Sequence, residues 1–79
     1  MATLRLFAGA REAAGTGTVV IAGGSVTEIL DEAIIRFGKG FADVLATSKV
    51  WVNGEEVPRD HAVGDNDEVA VLPPVSGGM

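Results

Sequence analysis

The sequence predicts an α+β fold, a mixed sheet of about five strands with one main helix packed across one face. Two segments, residues 3–8 and 49–53, alternate apolar and polar residues with the period of a strand, and residues 18–21 and 68–72 are short apolar runs that end at turn or proline residues. One other segment repeats apolar residues with the period of an α-helix. A chain of 79 residues buries only about 60% of the surface that its unfolded form exposes, so it supports a single core and no further layer.

The strands are predicted from this alternation and from the turns between them. Asn53-Gly54 is the dipeptide most typical of a two-residue hairpin turn, and it reverses the chain after the third strand. Val57 and Pro58 then form a short edge strand, because proline cannot donate to a sheet ladder. The four longer predicted strands are residues 3–8, 18–21, 49–53 and 68–72.

The main helix is predicted over residues 26–37. Ser25 and Glu28 match a capping box at its start, and Gly38 is typical of its C-terminal end. A helical turn is expected at residues 10–14, inside the first loop, and a short irregular or helical segment at residues 41–46. One apolar stripe faces the sheet, formed by Val26, Ile29, Leu30, Ala33, Ile34 and Phe37.

The composition excludes several classes of protein. The chain has no cysteine, which removes disulfides, thiolate zinc sites and cysteine nucleophiles. Its net charge of −5 argues against nucleic acid as a partner. No apolar run reaches membrane-spanning length and no signal segment opens the chain, so we expect a cytoplasmic protein without a membrane partner.

The negative charge is concentrated near the C-terminus. Residues 55–68 hold six acidic side chains and one basic side chain, Arg59. One interpretation is a solvated turn region. The other is an acidic collar that steers the chain end into a basic partner, and the C-terminal residues favour this second interpretation.

No catalytic constellation is present. His61 is the only histidine, and it cannot form a metal site with the scattered carboxylates around it. Ser25 is used as a helix cap, and no serine has a base available as in a nucleophile elbow. Gly23-Gly24 precedes the main helix, but no phosphate-binding lysine follows. We therefore expect neither an enzyme in its own right nor a metal site.

The last residues carry the strongest functional signal. Pro73-Pro74 ends the last strand and stiffens the chain, and residues 75–79 carry no charged side chain. Because glycine has no Cβ, the backbone can enter a narrow channel and approach a reactive group. Five extended residues reach roughly 16–18 Å. The sequence thus predicts a folded domain over residues 1–74 and a flexible tail formed by Val75, Ser76, Gly77, Gly78 and Met79.

Together these features resemble the MoaD/ThiS family of ubiquitin-like sulfur carriers, and most closely its branch of molybdopterin synthase small subunits. The resemblance covers essentially the whole chain and implies a β-grasp fold. Residues 4–8, with Arg11, Glu12 and Gly15, are similar to the family's opening strand and loop. Residues 52–54 are similar to its central hairpin, and residues 64–78 to its closing signature.

The resemblance implies that the carboxylate of Gly78 is the working group. A ubiquitin-activating-type adenylyltransferase of the MoeB/ThiF kind would couple AMP to it with ATP and magnesium, so the chain itself binds no cofactor. Sulfur then replaces one oxygen and gives a thiocarboxylate. In molybdopterin synthase such a tail inserts into the large subunit and donates its sulfur to a pterin precursor.

Met79 departs from the family pattern, in which working carriers end at the second glycine. The resemblance implies that a metallopeptidase removes Met79 before activation. The alternatives are a terminal residue foreign to the protein and a carrier that has lost activity and only binds.

Other functions also fit the same fold and tail. One is a sulfur carrier for cysteine or another metabolite. A second is a protein modifier joined to lysines through Gly78, and a third is a non-covalent adaptor. The acceptor cannot be read from the chain, because that specificity lies in the partner enzyme.

Alternation also predicts a docking face beside the tail. If Leu4 faces the helix, Phe7 faces away from it, and the same reasoning turns Trp51 and Leu72 outward. Because the first and last strands are adjacent in a β-grasp sheet, these large apolar side chains share one open face, which is typical of a partner-binding patch. The predicted partner-binding residues are Phe7, Trp51, Leu72, Pro73 and Pro74.

Overall fold

The computed structural model describes residues 1–74. The expected flexibility of residues 75–79 lies outside this part of the chain. The elements are β1 (Ala2–Leu6), α1 (Ala8–Ala14), β2 (Thr18–Ile21), α2 (Val26–Phe37), α3 (Lys39–Leu45), β3 (Lys49–Val52), β4 (Glu55–Glu56) and β5 (Glu68–Leu72).

The five strands form one mixed sheet in the order β2-β1-β5-β3-β4. β1 pairs antiparallel with β2 and parallel with β5, while β3 is antiparallel to both β5 and β4. The chain's first and last strands are therefore neighbours at the centre of the sheet. This is the ubiquitin-like β-grasp topology, as the sequence predicted.

The core lies between the sheet and α2. The helix buries Val26, Ile29, Leu30 and Ala33, and the sheet contributes the inward side chains of its central strands, such as Leu4. Ser25 caps the helix, its Oγ accepting from the N–H of Glu28 at 3.2 Å. The Glu28 carboxylate accepts from the N–H of Gly24 at 2.8 Å, one residue before the cap. The predicted bounds of the helix are confirmed.

The first strand is shorter than predicted. β1 ends at Leu6, and Ala8, expected on the core face of the strand, begins α1 instead. Ala8 has a φ of 50°, which turns the chain out of the sheet. The segment that follows is rich in alanine, the strongest helix former, and it buries Ala10. The expected helical turn at residues 10–14 is thus the second part of a seven-residue helix.

The edge strand is also displaced from its predicted position. Val57 and Pro58 were expected to form it, but β4 consists of Glu55 and Glu56. The N–H of Val57 still donates to the carbonyl of Val50 at 3.1 Å, and Pro58 then ends the pairing because it has no N–H. The segment predicted near residues 41–46 is the helix α3, which buries Phe41 and Leu45.

The hairpin between β3 and β4 is confirmed. Asn53 has a φ of 51° and Gly54 a φ of 88°. Both values are left-handed, as the two central residues of a type I′ turn require. Asparagine tolerates this region, but a residue with an ordinary Cβ is strained there.

We therefore expect Gly54→Ala to lower the free energy of unfolding by about 1–2 kcal/mol. Gly40→Ala is the matched control, because a Cβ at either glycine meets no atom within 4 Å, whereas only Gly54 has a positive φ. Gly40 lies in α3, so alanine there should raise stability by about 0.5 kcal/mol. Urea unfolding of both variants measures the difference. Equal effects of the two substitutions would contradict the turn assignment.

A polar clasp joins this hairpin to the start of β5. The Asp67 carboxylate accepts from the Asn53 amide at 2.9 Å and from the N–H of Gly64 at 2.8 Å. The Asn53 side-chain oxygen in turn accepts from the N–H of Glu68 at 2.9 Å. These bonds hold β5 in register with β3, and register decides which side chains face the open side of the sheet.

The clasp lowers the pKa of Asp67. The main cause is the hydrogen bond from the Gly64 backbone, followed by the bond from Asn53. A carboxyl whose pKa is lower in the folded state stabilises the fold above its unfolded pKa of about 3.9. That contribution is lost as pH falls through the folded value.

We expect Asp67→Asn to be less stable than wild type at neutral pH, because an amide cannot accept both bonds as an ionised carboxylate does. The difference should shrink as pH falls below about 4, where the Asp67 carboxyl of the unfolded chain begins to be protonated while that of the folded chain is still ionised. Urea unfolding at several pH values measures this. Asp31→Asn, at an exposed acid of α2, should show no such convergence. A difference for Asp67→Asn that is constant with pH would contradict the role of the ionised clasp.

Candidate docking face and tail exit

The chain leaves the fold from the middle of one end of the sheet. β5 lies between β1 and β3, with Val71 opposite Leu6 and Leu72 opposite Lys49. Pro73 is half-buried and Pro74 is exposed. Whatever follows Pro74 is therefore attached to a strand that is hydrogen-bonded on both sides.

The face of the sheet opposite the buried core carries the predicted apolar side chains. Burial alternates along β3 and β5, so that Val69 and Val71 are buried while Trp51 and Leu72 are only half-buried. Trp51 lies opposite Ala70, whose small side chain projects only a short distance from this part of the sheet face. The outward direction of Trp51 and Leu72 agrees with the sequence pattern.

Phe7 reaches the same end of the sheet by a different route. It lies beyond β1 as the N-cap residue of α1, but its backbone is still extended, with φ −128° and ψ 154°. Its side chain is 38% exposed. The Arg5 guanidinium carbon lies 5.8 Å from the centre of its ring. The structure thus places Phe7, Trp51 and Leu72 at exposed or half-buried positions, and their binding role stays a prediction.

The acidic collar is not where the sequence suggested. Asp65, Asp67 and Glu68 lie at the start of β5, and Glu55 follows the hairpin turn, which is held to that same end by the clasp. The tail leaves from the other end of β5, roughly 13–17 Å away at the rise of a strand. The reason is the direction of β5, because this strand crosses the sheet between the acidic residues at its start and the tail at its end. These four acidic side chains therefore do not surround the exit, and Glu56, which pairs with Lys49 at 3.9 Å, is the acid of this segment that lies near it.

Basic side chains lie near the exit instead. Lys49 is opposite Leu72. The Arg59 guanidinium donates to the carbonyl oxygens of Leu45 and Ser48, both at 3.2 Å, beside the start of β3. Sequence reasoning missed this arrangement, because Arg59 is surrounded by acids in the sequence and only the fold carries its guanidinium to this end.

Arg11 lies on the other side of the exit. Gly17 accepts a hydrogen bond from the N–H of Leu6 at 2.9 Å, and a Cβ on Gly17 would stand only 3.3 Å from the Arg11 Nε. Because Gly17 has no side chain, the Arg11 side chain can lie close against the backbone there. The arginine lines an open groove with Ala8, Glu12, Gly15, Thr16 and Gly17.

The predicted tail, including its working residue Gly78, lies outside the described residues. Its members are Val75, Ser76, Gly77, Gly78 and Met79. Within residues 1–74, no three His, Cys, Asp or Glu side chains are grouped so that they could hold a metal ion. In the same range no helix is both long enough and apolar enough to cross a bilayer.

The fold and the central C-terminal strand define a ubiquitin-like β-grasp protein. A sequence model of the ThiS family matches residues 4–78. A molybdopterin synthase sulfur carrier subunit of Chlamydomonas reinhardtii is 41% identical over 76 residues, covering 91% of this chain and 92% of that protein. The chain belongs to the ThiS family, as the resemblance indicated.

Solved structures agree with this assignment. Small archaeal modifier protein 1 of Haloferax volcanii is 32% identical, with a TM-score of 0.83 and coverage of 98% of both chains. The same modifier from Methanosarcina acetivorans has a TM-score of 0.87 at 26% identity, covering 98% of this chain and 95% of its own. In the BexX/CysO complex of Amycolatopsis orientalis, one chain has a TM-score of 0.84 at 27% identity, covering 99% of this chain and 100% of that one.

Proposed function

We propose that this chain is a sulfur carrier whose C-terminal glycine, Gly78, is adenylated and converted to a thiocarboxylate. We further propose that it donates sulfur in molybdopterin biosynthesis as the small, non-catalytic subunit of a cytoplasmic synthase. The observation that carries the proposal is a pair of glycines close behind the last strand in a chain of the ThiS family. Gly77 and Gly78 come five and six positions after Leu72, where β5 ends. The Chlamydomonas relative, named as the carrier subunit of that synthase, supports the choice of pathway.

The reaction needs little from this chain beyond a terminal carboxylate and a segment long enough to bring it to the partner's active site. A carboxylate is a poor electrophile until one oxygen becomes a good leaving group. An oxygen of Gly78 attacks the α-phosphorus of ATP and releases pyrophosphate, and a sulfur nucleophile then displaces AMP. ATP and magnesium belong to the adenylyltransferase of the MoeB/ThiF type.

Met79 must be removed first in this proposal. With Met79 in place, the terminal carboxylate belongs to methionine, whose side chain does not fit a channel sized for glycine. A metallopeptidase that cleaves after Gly78 would generate the working end.

The open face is the proposed docking surface for both partners, the adenylyltransferase and the synthase large subunit. Phe7, Trp51 and Leu72 offer large apolar side chains beside the exit, and Pro73 and Pro74 fix the direction in which the tail departs. A partner bound there would receive the tail without any rearrangement of the sheet.

A second candidate function is protein modification, which the archaeal relatives favour because they are named small archaeal modifier proteins. The activated Gly78 would then form an isopeptide bond with a lysine of another protein. A third candidate is sulfur transfer to cysteine or another metabolite, which the BexX/CysO complex supports because BexX is not named as a subunit of molybdopterin synthase. Mass spectrometry of material from the native cells separates modification from sulfur transfer, since only modification leaves branched peptides ending in Gly-Gly.

The intact mass of the protein purified from its native cells tests the carrier proposal. We expect loss of the Met79 residue and the mass gain of one sulfur replacing one oxygen. Gly78→Ala should abolish the sulfur gain but leave the melting temperature unchanged, because residue 78 comes six positions after the end of β5 in the sequence. A native chain that keeps Met79 and carries no sulfur, while the cells make molybdenum cofactor, would contradict the proposal.

The docking surface has its own test. Phe7→Glu and Leu72→Glu should weaken binding to the purified adenylyltransferase by about tenfold or more, because each places a charge in an apolar contact. Ile35→Glu is the matched control, since Ile35 is 77% exposed on α2, which covers the other face of the sheet. Isothermal titration calorimetry measures the affinities. Equal affinities for all the variants would remove Phe7 and Leu72 from the interface.

A further inference from the structure

We propose that the tail exit carries a basic rim, formed by Arg11, Lys49 and Arg59, and that this rim docks on an acidic surface around the channel of the activating adenylyltransferase. The proposal rests on the proposed function and adds the electrostatic character of the partner. It reverses the expectation of a basic partner that the sequence alone suggested.

Lys49 is the member of the basic rim nearest the tail root, because it pairs with Leu72 across the sheet. Its ammonium lies 3.9 Å from Glu56, and both side chains are more than half exposed. Such an exposed surface pair contributes little to the stability of the fold. A carboxylate of a docking partner can therefore engage Lys49 at little cost to the fold.

Arg11 has no acidic partner within salt-bridge distance in the part of the chain that the structure describes. The other two arginines of the sheet and main helix are each paired with a glutamate, Arg5 with Glu68 at 3.3 Å and Arg36 with Glu32 at 3.2 Å. Arg11 is exposed in its groove beside Gly17. A guanidinium in this position offers the fork geometry that carboxylates accept.

Arg59 contributes fixed positive charge rather than a mobile contact. Its two hydrogen bonds to the carbonyls of Leu45 and Ser48 hold the guanidinium next to the residue that precedes Lys49. The rim thus places cations on both sides of β5, with Arg11 beyond β1 and the other two at the start of β3.

The opposite end of β5 carries the opposite sign. Asp65, Asp67, Glu68 and Glu55 gather there, with Asp65 paired to the N-terminal ammonium and Glu68 to Arg5. At the exit, Glu12 lies in the groove of Arg11 and Glu56 pairs with Lys49. Among these groups the exit keeps an excess of cations and the far end an excess of acids, so the sheet is polarised along the direction of the tail despite a net charge of −5. An acidic partner attracts the rim and repels the far end. The chain is therefore oriented with its tail forward before contact, and the association rate falls with salt.

The test compares two matched charge reversals in the chain ending at Gly78. Lys49→Glu reverses a rim lysine that pairs with Glu56, and Lys39→Glu reverses a lysine of α3 that pairs with Asp43 at 3.4 Å. Each substitution changes the net charge equally and replaces one surface ion pair by repulsion. The recombinant ubiquitin-activating-type adenylyltransferase of the same cells is the probe, assayed by carrier-dependent ATP–pyrophosphate exchange.

We expect Lys49→Glu to raise the KM for the carrier about tenfold with kcat nearly unchanged, and Lys39→Glu to change it less than about twofold. Arg11→Glu should act like Lys49→Glu. Raising ionic strength from about 0.01 M to about 0.15 M shortens the Debye length from roughly 30 to 8 Å. This should raise the wild-type KM far more than that of Lys49→Glu.

Equal KM values for Lys49→Glu and Lys39→Glu, or a lower KM for Lys49→Glu, would overturn the acidic-partner inference while leaving the carrier proposal intact. Absence of exchange with the wild-type chain ending at Gly78 would overturn the proposed function, and this inference with it. Melting curves of both variants within a few degrees of wild type establish that KM reports docking. Should Lys49→Glu melt early, Lys49→Gln and Arg11→Glu give the same comparison.

Discussion

The parallel pairing of β1 with β5 is the constraint on which the rest of the structure depends. These strands come from opposite ends of the chain and meet at the centre of the sheet. Parallel neighbours need a crossover connection, and the intervening chain supplies it with α2, which covers the buried side chains of both strands. A C-terminal strand placed at the centre is bonded on both flanks. The root of the tail is therefore fixed in position even though a chain end would otherwise fray.

The two edges of the sheet are protected against further pairing. On β2, the Thr16 hydroxyl bonds both the carbonyl and the N–H of Thr18, and Arg36 donates to the carbonyl of Val20. On the other side, β4 is only two residues long and both are glutamates. Short, charged or capped edges do not recruit extra strands. Association through the open face and the tail is then the route that the fold leaves available.

Charge distribution matters more here than net charge. The chain is acidic as a whole, yet four of its acids gather at the start of β5 and cations lie where β5 ends. Because salt screens such fields beyond about 8 Å at physiological ionic strength, each end of the sheet presents its own local character to a partner. A partner at the tail exit meets Lys49 and Arg11 before it meets the acidic turns.

The sequence by itself determined the features that depend on local patterns. The period of α2, its cap at Ser25, the Asn53-Gly54 turn and the Pro-Pro and Gly-Gly ending are all written in neighbouring residues. Such signals need no knowledge of strand order. They were sufficient to predict a mixed sheet with one main helix and the outward direction of Trp51 and Leu72, and the resemblance to a known family added the β-grasp topology.

Only the tertiary structure decided where these elements meet. The chain turns out of β1 at Ala8 because the alanine-rich segment finds a buried place for Ala10. Asn53 reaches Asp67, fourteen residues away, because β3 and β5 are paired. For the same reason Glu55, Asp65, Asp67 and Glu68 lie at the far end of β5 and not at the tail exit, and the Arg59 guanidinium lies at the start of β3. Distances in sequence cannot fix which ends of antiparallel strands coincide; hydrogen-bonded pairing across the sheet does.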